Sequence, residues 1–179
     1  MAGLFPELRQ SISYTTRPIR EGERNGIDYH FVAEDVFDRM VAADEFAEWA
    51  EVHGNRYGTS KATLVQALAA GADVLLDIDF QGAAQLRTSG MDGVFIFILP
   101  PSLRELRRRL EGRRTDSRAV IEQRMANASA EMAQAARFDY LVVNDDFRQT
   151  VEKVRAIMIA EAHRTFRVLD DLSGEFSLK

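Results

Sequence analysis

The sequence predicts an α/β fold, a parallel sheet with helical crossovers into which a small α+β lobe is inserted, and three observations predict it. Three short apolar runs, Val74 to Ile78, Val94 to Leu99 and Tyr140 to Val143, have the length of buried strands, and each ends at a polar or proline-containing turn. Amphipathic stretches lie between these runs, and strands alternating with helices build parallel sheets. Between Ser11 and Gly71 the rhythm changes to short β-like pieces, a turn-rich middle and two brief helical stretches, which sets that region apart as the inserted lobe.

Along the chain, the lobe opens with SISYTT (Ser11 to Thr16) and DYHFV (Asp28 to Val32), whose β-branched and aromatic content suits strands. Turn residues from Arg20 to Gly26 lie between them. Helices are expected near Ala33 to Ala43 and near Ser60 to Ala70. After the second apolar run, Ser102 and Glu105 form a capping-box pattern, with Leu103, Leu106 and Leu110 as the apolar stripe and Gly112 as the stop. The next helix begins near Asp116 or Ser117, follows Ile121, Met125, Ala128 and Met132, and fades before Phe138. Another begins after Asn144, Asp145 and Asp146 and runs through Val151, Val154 and Ile157 to about Arg164. The tail from Phe166 to Lys179 is ambiguous, and Trp49 and the phenylalanines are read as core.

Composition narrows the class. The 179 residues, 46% hydrophobic, suffice for one sizeable core rather than two independent domains. Lys and Arg total 23 against 28 Asp and Glu, and a net charge of −5 does not favour a nucleic-acid partner. The absence of cysteine removes disulfide and thiolate-metal chemistry. No apolar run approaches the ~20 residues that span a bilayer, and MAGLFPELRQ has no long apolar stretch of a leader. A cytoplasmic protein without a membrane partner is expected.

Two constellations carry chemistry. Ser13, Arg17, Arg20, Glu23, Tyr29, Glu48, Tyr57, Gly58 and Thr59 all fall in the lobe. Guanidinium groups give charge-assisted bidentate bonds and hydroxyls give directional donors, so this set suits a phosphate monoester. Glu48 is then available for a base, because guanine presents two adjacent N–H donors that one carboxylate accepts together. A solvated turn with ordinary surface charges is the plain alternative. The second set is Arg109, Arg113 and Arg124. Arg109 and Arg113, four apart, share a face of a continuous helix, and a basic amphipathic helix pairing with Glu105 and Glu111 is the plain reading. Asp77 and Asp79 end an apolar run, as carboxylates near magnesium do, or else cap it and bind turn amides. Asn144 follows another run and doubles as a candidate helix cap. His30, His53 and His163 have no ligand spacing, so no metal site is expected on this chain's own side chains.

Read together, these segments give SxSYTTRPxRxGExxGxDYxF from Ser11, then FxEWAxxxGxxYGT from Phe46, LLDIDxQG from Leu75, FILPPS from Phe97, RRLEGR from Arg108 and VVNDD from Val142. This series resembles guanylate kinases from the lobe to about Arg164. The resemblance implies a P-loop kinase-like core with a nucleoside-monophosphate-binding lobe at residues 11–71 and a helical lid at 109–125. The core would be residues 72–108 and 126–165, the tail 166–179, and the whole one domain over 1–179. It implies phosphoryl transfer from ATP to GMP, giving ADP and GDP, with Mg2+ accompanying ATP. At matching positions, Ser13, Arg17, Arg20, Tyr29 and Tyr57 would hold or frame the GMP phosphate, and Glu48, Thr59 and Asp79 would read guanine. Glu23 and Asp77 would be cleft acids, Arg109, Arg113 and Arg124 lid and catalytic arginines, and Asn144 a contact for the donor adenine. Arg114 departs from the family, which commonly has glycine there.

A second departure is larger. Family members carry a GxxGxGK[ST] loop whose amides and lysine hold the donor phosphates, and no such spacing, nor any Gly-Lys-Ser or Gly-Lys-Thr, occurs in these 179 residues. LFPELRQ instead resembles the end of the helix that follows the loop, so the chain as given reads as starting late and donor binding is expected to be impaired. A strand missing from the sheet centre would expose an edge and favour weak stability or association. The acceptor residues all lie downstream. The alternative function is an inactive guanylate-kinase-like module that binds a protein segment.

Overall fold

The computed structural model describes Phe5, residues 8–112 and residues 117–172, which form two compact units that meet in sequence at Gly93 and Val94. Arg113 and Arg114 lie outside the described residues.

The first unit contains β1 (Leu8–Gln10), β2 (Tyr14–Thr15), β3 (His30–Phe31), α1 (Glu34–Ala42), β4 (Phe46–Val52), β5 (Asn55–Ser60), α2 (Lys61–Ala69), β6 (Asp73–Leu75) and α3 (Phe80–Thr88). β1 pairs in parallel with β6, Leu8 opposite Asp73 and Gln10 opposite Leu75, and Ser11 N–H extends the ladder to the Leu75 carbonyl. Everything between β1 and β6 is the inserted lobe, whose four-stranded sheet runs in the order β3-β2-β5-β4. Its β4–β5 hairpin turns at His53 and Gly54, with φ of 53° and 75°, the backbone that a two-residue primed turn requires. Strand β4 alternates, with Phe46, Glu48 and Ala50 buried and Trp49 and Glu51 facing out. Phe37 of α1, wholly buried, stacks on Phe46 with centroids 4.6 Å apart. Phe46 in turn lies over Gly58, where a Cβ would come within 2.8 Å of its ring, so the cross-strand glycine is part of the core's shape.

Ser60 caps α2, its hydroxyl accepting the Thr63 N–H, while α1 starts at Ala33 without a side-chain cap. Both helices lie where the pattern predicts them.

The second unit contains β7 (Ile96–Leu99), α4 (Leu103–Gly112), α5 (Arg118–Ala133), β8 (Tyr140–Val143), α6 (Phe147–Ala162) and α7 (Thr165–Leu172). β7 and β8 are parallel, Ile96 opposite Tyr140 and Leu99 opposite Val143, joined through α4 and α5 as a helical crossover. Leu110, Ile121, Ala128 and Val142 are its buried apolar side chains. The backbone N–H groups of Val120 and Gln149 find Ser117 and Asp146, the caps of α5 and α6.

Several expectations change. Leu8–Gln10 is a strand rather than the end of a helix, because an open β6 backbone edge gains a full ladder from an extended partner, and Leu8 is buried there. Among the described residues β1 is the one strand that pairs with β6. β6 stops at Leu75, short of Ile78. The apolar runs are not uniformly buried: Ile98 is 51% and Leu141 55% exposed, since a two-stranded pair leaves alternate side chains uncovered. The Ser102 hydroxyl accepts the Glu105 N–H at 3.1 Å, but the Glu105 carboxylate turns forward onto Arg108 and Arg109, so the capping box is half made. Trp49, Phe147 and Phe166 are exposed, and only part of the aromatic set is core. The ambiguous tail begins with helix α7.

Candidate nucleotide site

Strands β2 and β5 and the turn after β2 bring Arg17, Glu23, Tyr29 and Tyr57 together. Arg17 is nearly buried, and both of its terminal nitrogens donate to Glu23, at 3.1 and 2.7 Å. Its guanidinium also lies 5.4 Å from the Tyr29 ring centre and 5.6 Å from that of Phe31. Tyr29 and Tyr57 meet edge to face at 5.9 Å. Glu23 accepts the Arg20 N–H at 2.7 Å as well, so one carboxylate organises both arginines of the turn. The bond to Arg17 holds the Glu23 carboxyl below the usual range, and the same bond raises the Arg17 pKa further. Tyr29 is pushed up, first by burial and then by the charge of Asp77. Ser13 stands just before β2, its carbonyl accepting the His30 N–H at 2.9 Å.

A second cluster surrounds Glu48, which is only 4% exposed. The Thr59 hydroxyl, across the hairpin, donates to its Oε1 at 2.6 Å. Burial raises the Glu48 pKa, the Thr59 bond pulls it back, and the charge of Asp79 adds to the rise. Thr59 itself is fully buried. Asp79 is the cap of α3, with Oδ1 accepting the Gly82 N–H at 2.9 Å and Oδ2 accepting from Gln81 at 2.9 Å. The capping alternative for Asp79 is thus realised on a helix rather than on a strand end.

Helix α3 supplies groups that the sequence reading missed. The Gln85 side-chain amide donates to the Trp49 carbonyl at 2.7 Å and accepts the Trp49 N–H at 3.1 Å, and Gln81 donates to the Glu51 carbonyl at 3.3 Å. These bonds occupy the outer edge of β4 beside Glu48. A glutamine that clasps a backbone 36 residues away leaves no local signal in sequence.

In the second unit Arg109 donates from Nε to Glu105 at 2.7 Å and from Nη2 to the Asp145 carbonyl at 3.3 Å. Arg108 also holds Glu105, and the two arginines drive its pKa down to about 2. Arg107 bridges α4 to α5 through Glu122 at 2.6 Å. Arg124 lies on α5, and Arg113 falls outside the described residues. Asn144 is not the cap of α6, a place Asp146 takes. Its N–H donates to the Leu99 carbonyl at 2.7 Å and its side-chain oxygen accepts from Thr150 at 3.1 Å.

Comparison with known proteins supplies the frame. The guanylate kinase family model matches residues 6–161. The guanylate kinase of Geobacter sulfurreducens is 56% identical over 175 residues, covering 98% of this chain and 86% of that protein. That of Syntrophotalea carbinolica is 53% identical over 175 residues, covering 98% and 83%. The crystal structure of guanylate kinase from Anaplasma phagocytophilum superposes with a TM-score of 0.81 at 34% identity, covering 99% of this chain and 89% of that one.

Proposed function

The chain belongs to the guanylate kinase family, and from that premise we infer that its chemistry is phosphoryl transfer from ATP to GMP, giving ADP and GDP. The observation that carries the acceptor assignment is the buried Glu48 carboxylate, oriented by Thr59 and set in the same unit as the arginine and tyrosine cluster suited to phosphate. A buried carboxylate needs donors, and guanine supplies N1–H and the 2-amino group side by side. Adenine offers an acceptor at N1 and no 2-amino group, so it would leave the Glu48 carboxylate with no donor from the base beyond its bond from Thr59, in a place where an under-paired charge is costly.

Arg17, Arg20, Tyr29 and Tyr57, with Ser13, hold the phosphate of GMP, and Glu48, Thr59 and Asp79 read its base. In the transfer a phosphate oxygen of GMP bonds to the γ-phosphorus of ATP while the bond from that phosphorus to the ADP oxygen breaks in line, without a covalent enzyme intermediate. Arg109, Arg113 and Arg124 neutralise the charge that develops. The two bonds Arg109 makes use two of its five donors, so it retains N–H groups for phosphoryl oxygens. Asn144 contacts the donor adenine. Mg2+, a hard cation that enters with ATP, neutralises phosphoryl oxygens when bound. Each Asp79 oxygen already accepts one bond within α3 and keeps one lone pair for the base, which makes Asp77 the better-suited carboxylate of that loop for such a cation. The setting we assign is the cytoplasm.

A second reading rests on one observation: these 179 residues contain no GxxGxGK[ST] loop. That reading keeps the lobe as a binding module for a protein segment. Calorimetric titration with GMP and AMP separates the two. GMP binding at least about 100-fold tighter than AMP supports the acceptor site, and equal or undetectable binding overturns it. ADP production from ATP and GMP by these 179 residues is expected to be near zero, and brisk turnover would show that donor phosphates are held without the loop.

A further inference from the structure

We propose that Gly82 and Gln85, on one face of α3, are positioning residues that set the guanine selectivity of Glu48, an assignment that rests on the acceptor site proposed above. Glycine inside a helix is unfavourable unless something requires it, and Gly82 does not have the positive φ that would. What requires it is space. A Cβ built on Gly82 overlaps Glu48 Oε2 and lies 2.9 Å from its Cδ and 3.4 Å from its Cγ, so the carboxylate occupies the volume that any other residue would fill. The same residue's N–H fixes Asp79 Oδ1, which couples both base-reading carboxylates to one peptide unit.

Gln85 holds the strand side of the arrangement. Its two-way amide clasp on the Trp49 backbone pins the residue next to Glu48, and it does so just beyond the register shift between Phe46 and Glu48. A bulge re-aims the side chains around it, and a strand with a bulge at an open edge needs a fixed partner to keep one aim. Helix α3 is that partner: Gly82 admits the carboxylate, Gln85 fixes its backbone, and the Thr59 hydroxyl closes the third side at 2.6 Å.

The obstacle created by Gly82→Ala is the far end of a flexible side chain, and alanine favours the helix. The variant is therefore expected to fold while Glu48 is pushed off Thr59. The experiment measures GMP and AMP affinity by calorimetry, thermal melting, and the titration of the Glu48 carboxyl by NMR, its resonance identified through Glu48→Gln. In Gly82→Ala, GMP affinity should fall at least tenfold with AMP binding unchanged, the melting temperature should hold, and the Glu48 titration should move. Gln85→Met, of similar length without the amide, should lower the GMP preference by a smaller factor and gives a second reading if Gly82→Ala does not fold. A GMP preference within twofold of the unsubstituted chain in a folded Gly82→Ala, or an unmoved Glu48 titration, overturns the proposal. In a non-folding case, an unchanged preference in Gln85→Met does the same. Absence of any GMP preference in the unsubstituted chain defeats the acceptor site itself, and the positioning role with it.

Discussion

The acceptor-side residues of the first unit and the arginines of α4 in the second are held in opposite ways. Arg17, Glu48 and Thr59 are buried, belong to or adjoin a sheet ladder, and have partners beyond their own helical turn or strand. Arg108 and Arg109 rest on Glu105, one turn back along their own helix, in pairs that water reaches. The contrast suits the roles proposed for the two groups. Reading a base demands groups fixed before the ligand arrives, whereas neutralising a transient charge demands groups that release one anion for another. Short helical ion pairs exchange readily because each contributes little.

The strongest way to break this comparison is Glu48→Gln. GMP affinity should fall about 100-fold, since one of guanine's donors loses its charged acceptor. Stability should move the other way. The folded-state pKa of Glu48 is raised, so its charged form opposes folding; that cost is absent below the ordinary carboxylate range and grows as pH rises through the raised value. Melting temperatures above neutral pH should therefore be equal or higher in Glu48→Gln, and a large loss would place Glu48 among purely structural groups. Next in size is Arg17→Lys, which keeps the charge but loses the two-point bond to Glu23; chemical denaturation should show a loss of about 1–2 kcal/mol, with GMP affinity lowered about tenfold.

Smaller effects test the second unit. Tyr140→Phe removes the hydroxyl that donates to the nearly buried Glu161, and should cost about 1 kcal/mol of unfolding free energy. The smallest concerns Glu105, whose pKa of about 2 lies below its unfolded value of 4.5. A depressed carboxylate contributes stability above 4.5 that fades as pH falls toward 2. NMR titration of that carboxyl should give a midpoint below the ordinary carboxylate range, and Glu105→Gln should lower the melting temperature at neutral pH slightly, since the pairs are exposed and screened.

Which parts are legible in the sequence follows the range of the interactions involved. Helices α4, α5 and α6 can be read because Ser102, Ser117 and Asp146 act within one turn and the apolar period is local. The grouping of Arg17 with Tyr29 and of Glu48 with Thr59 is visible through the resemblance, and the structure brings each pair together. Strand β4 escapes the pattern because its inward row carries Glu48 between Phe46 and Ala50, which spoils an apolar alternation. Leu8–Gln10 reads as helix because its conformation is decided by the edge of β6, whose Asp73 stands opposite Leu8 from far along the chain. Gly82 sits in a motif that gives no reason for it, and its reason is a side chain on another strand.

In the phosphate site proposed above, the carboxylate of Glu23 is already seated against Arg17 and offsets one of the two guanidinium charges assigned there. On that assignment a bare inorganic anion reaching Arg17 would have to trade bonds with an incumbent carboxylate. A nucleotide brings a purine to the same encounter, and the base contact can tip the exchange. Under the proposed assignment Glu23 would act as a resident decoy, leaving phosphate alone an insufficient credential.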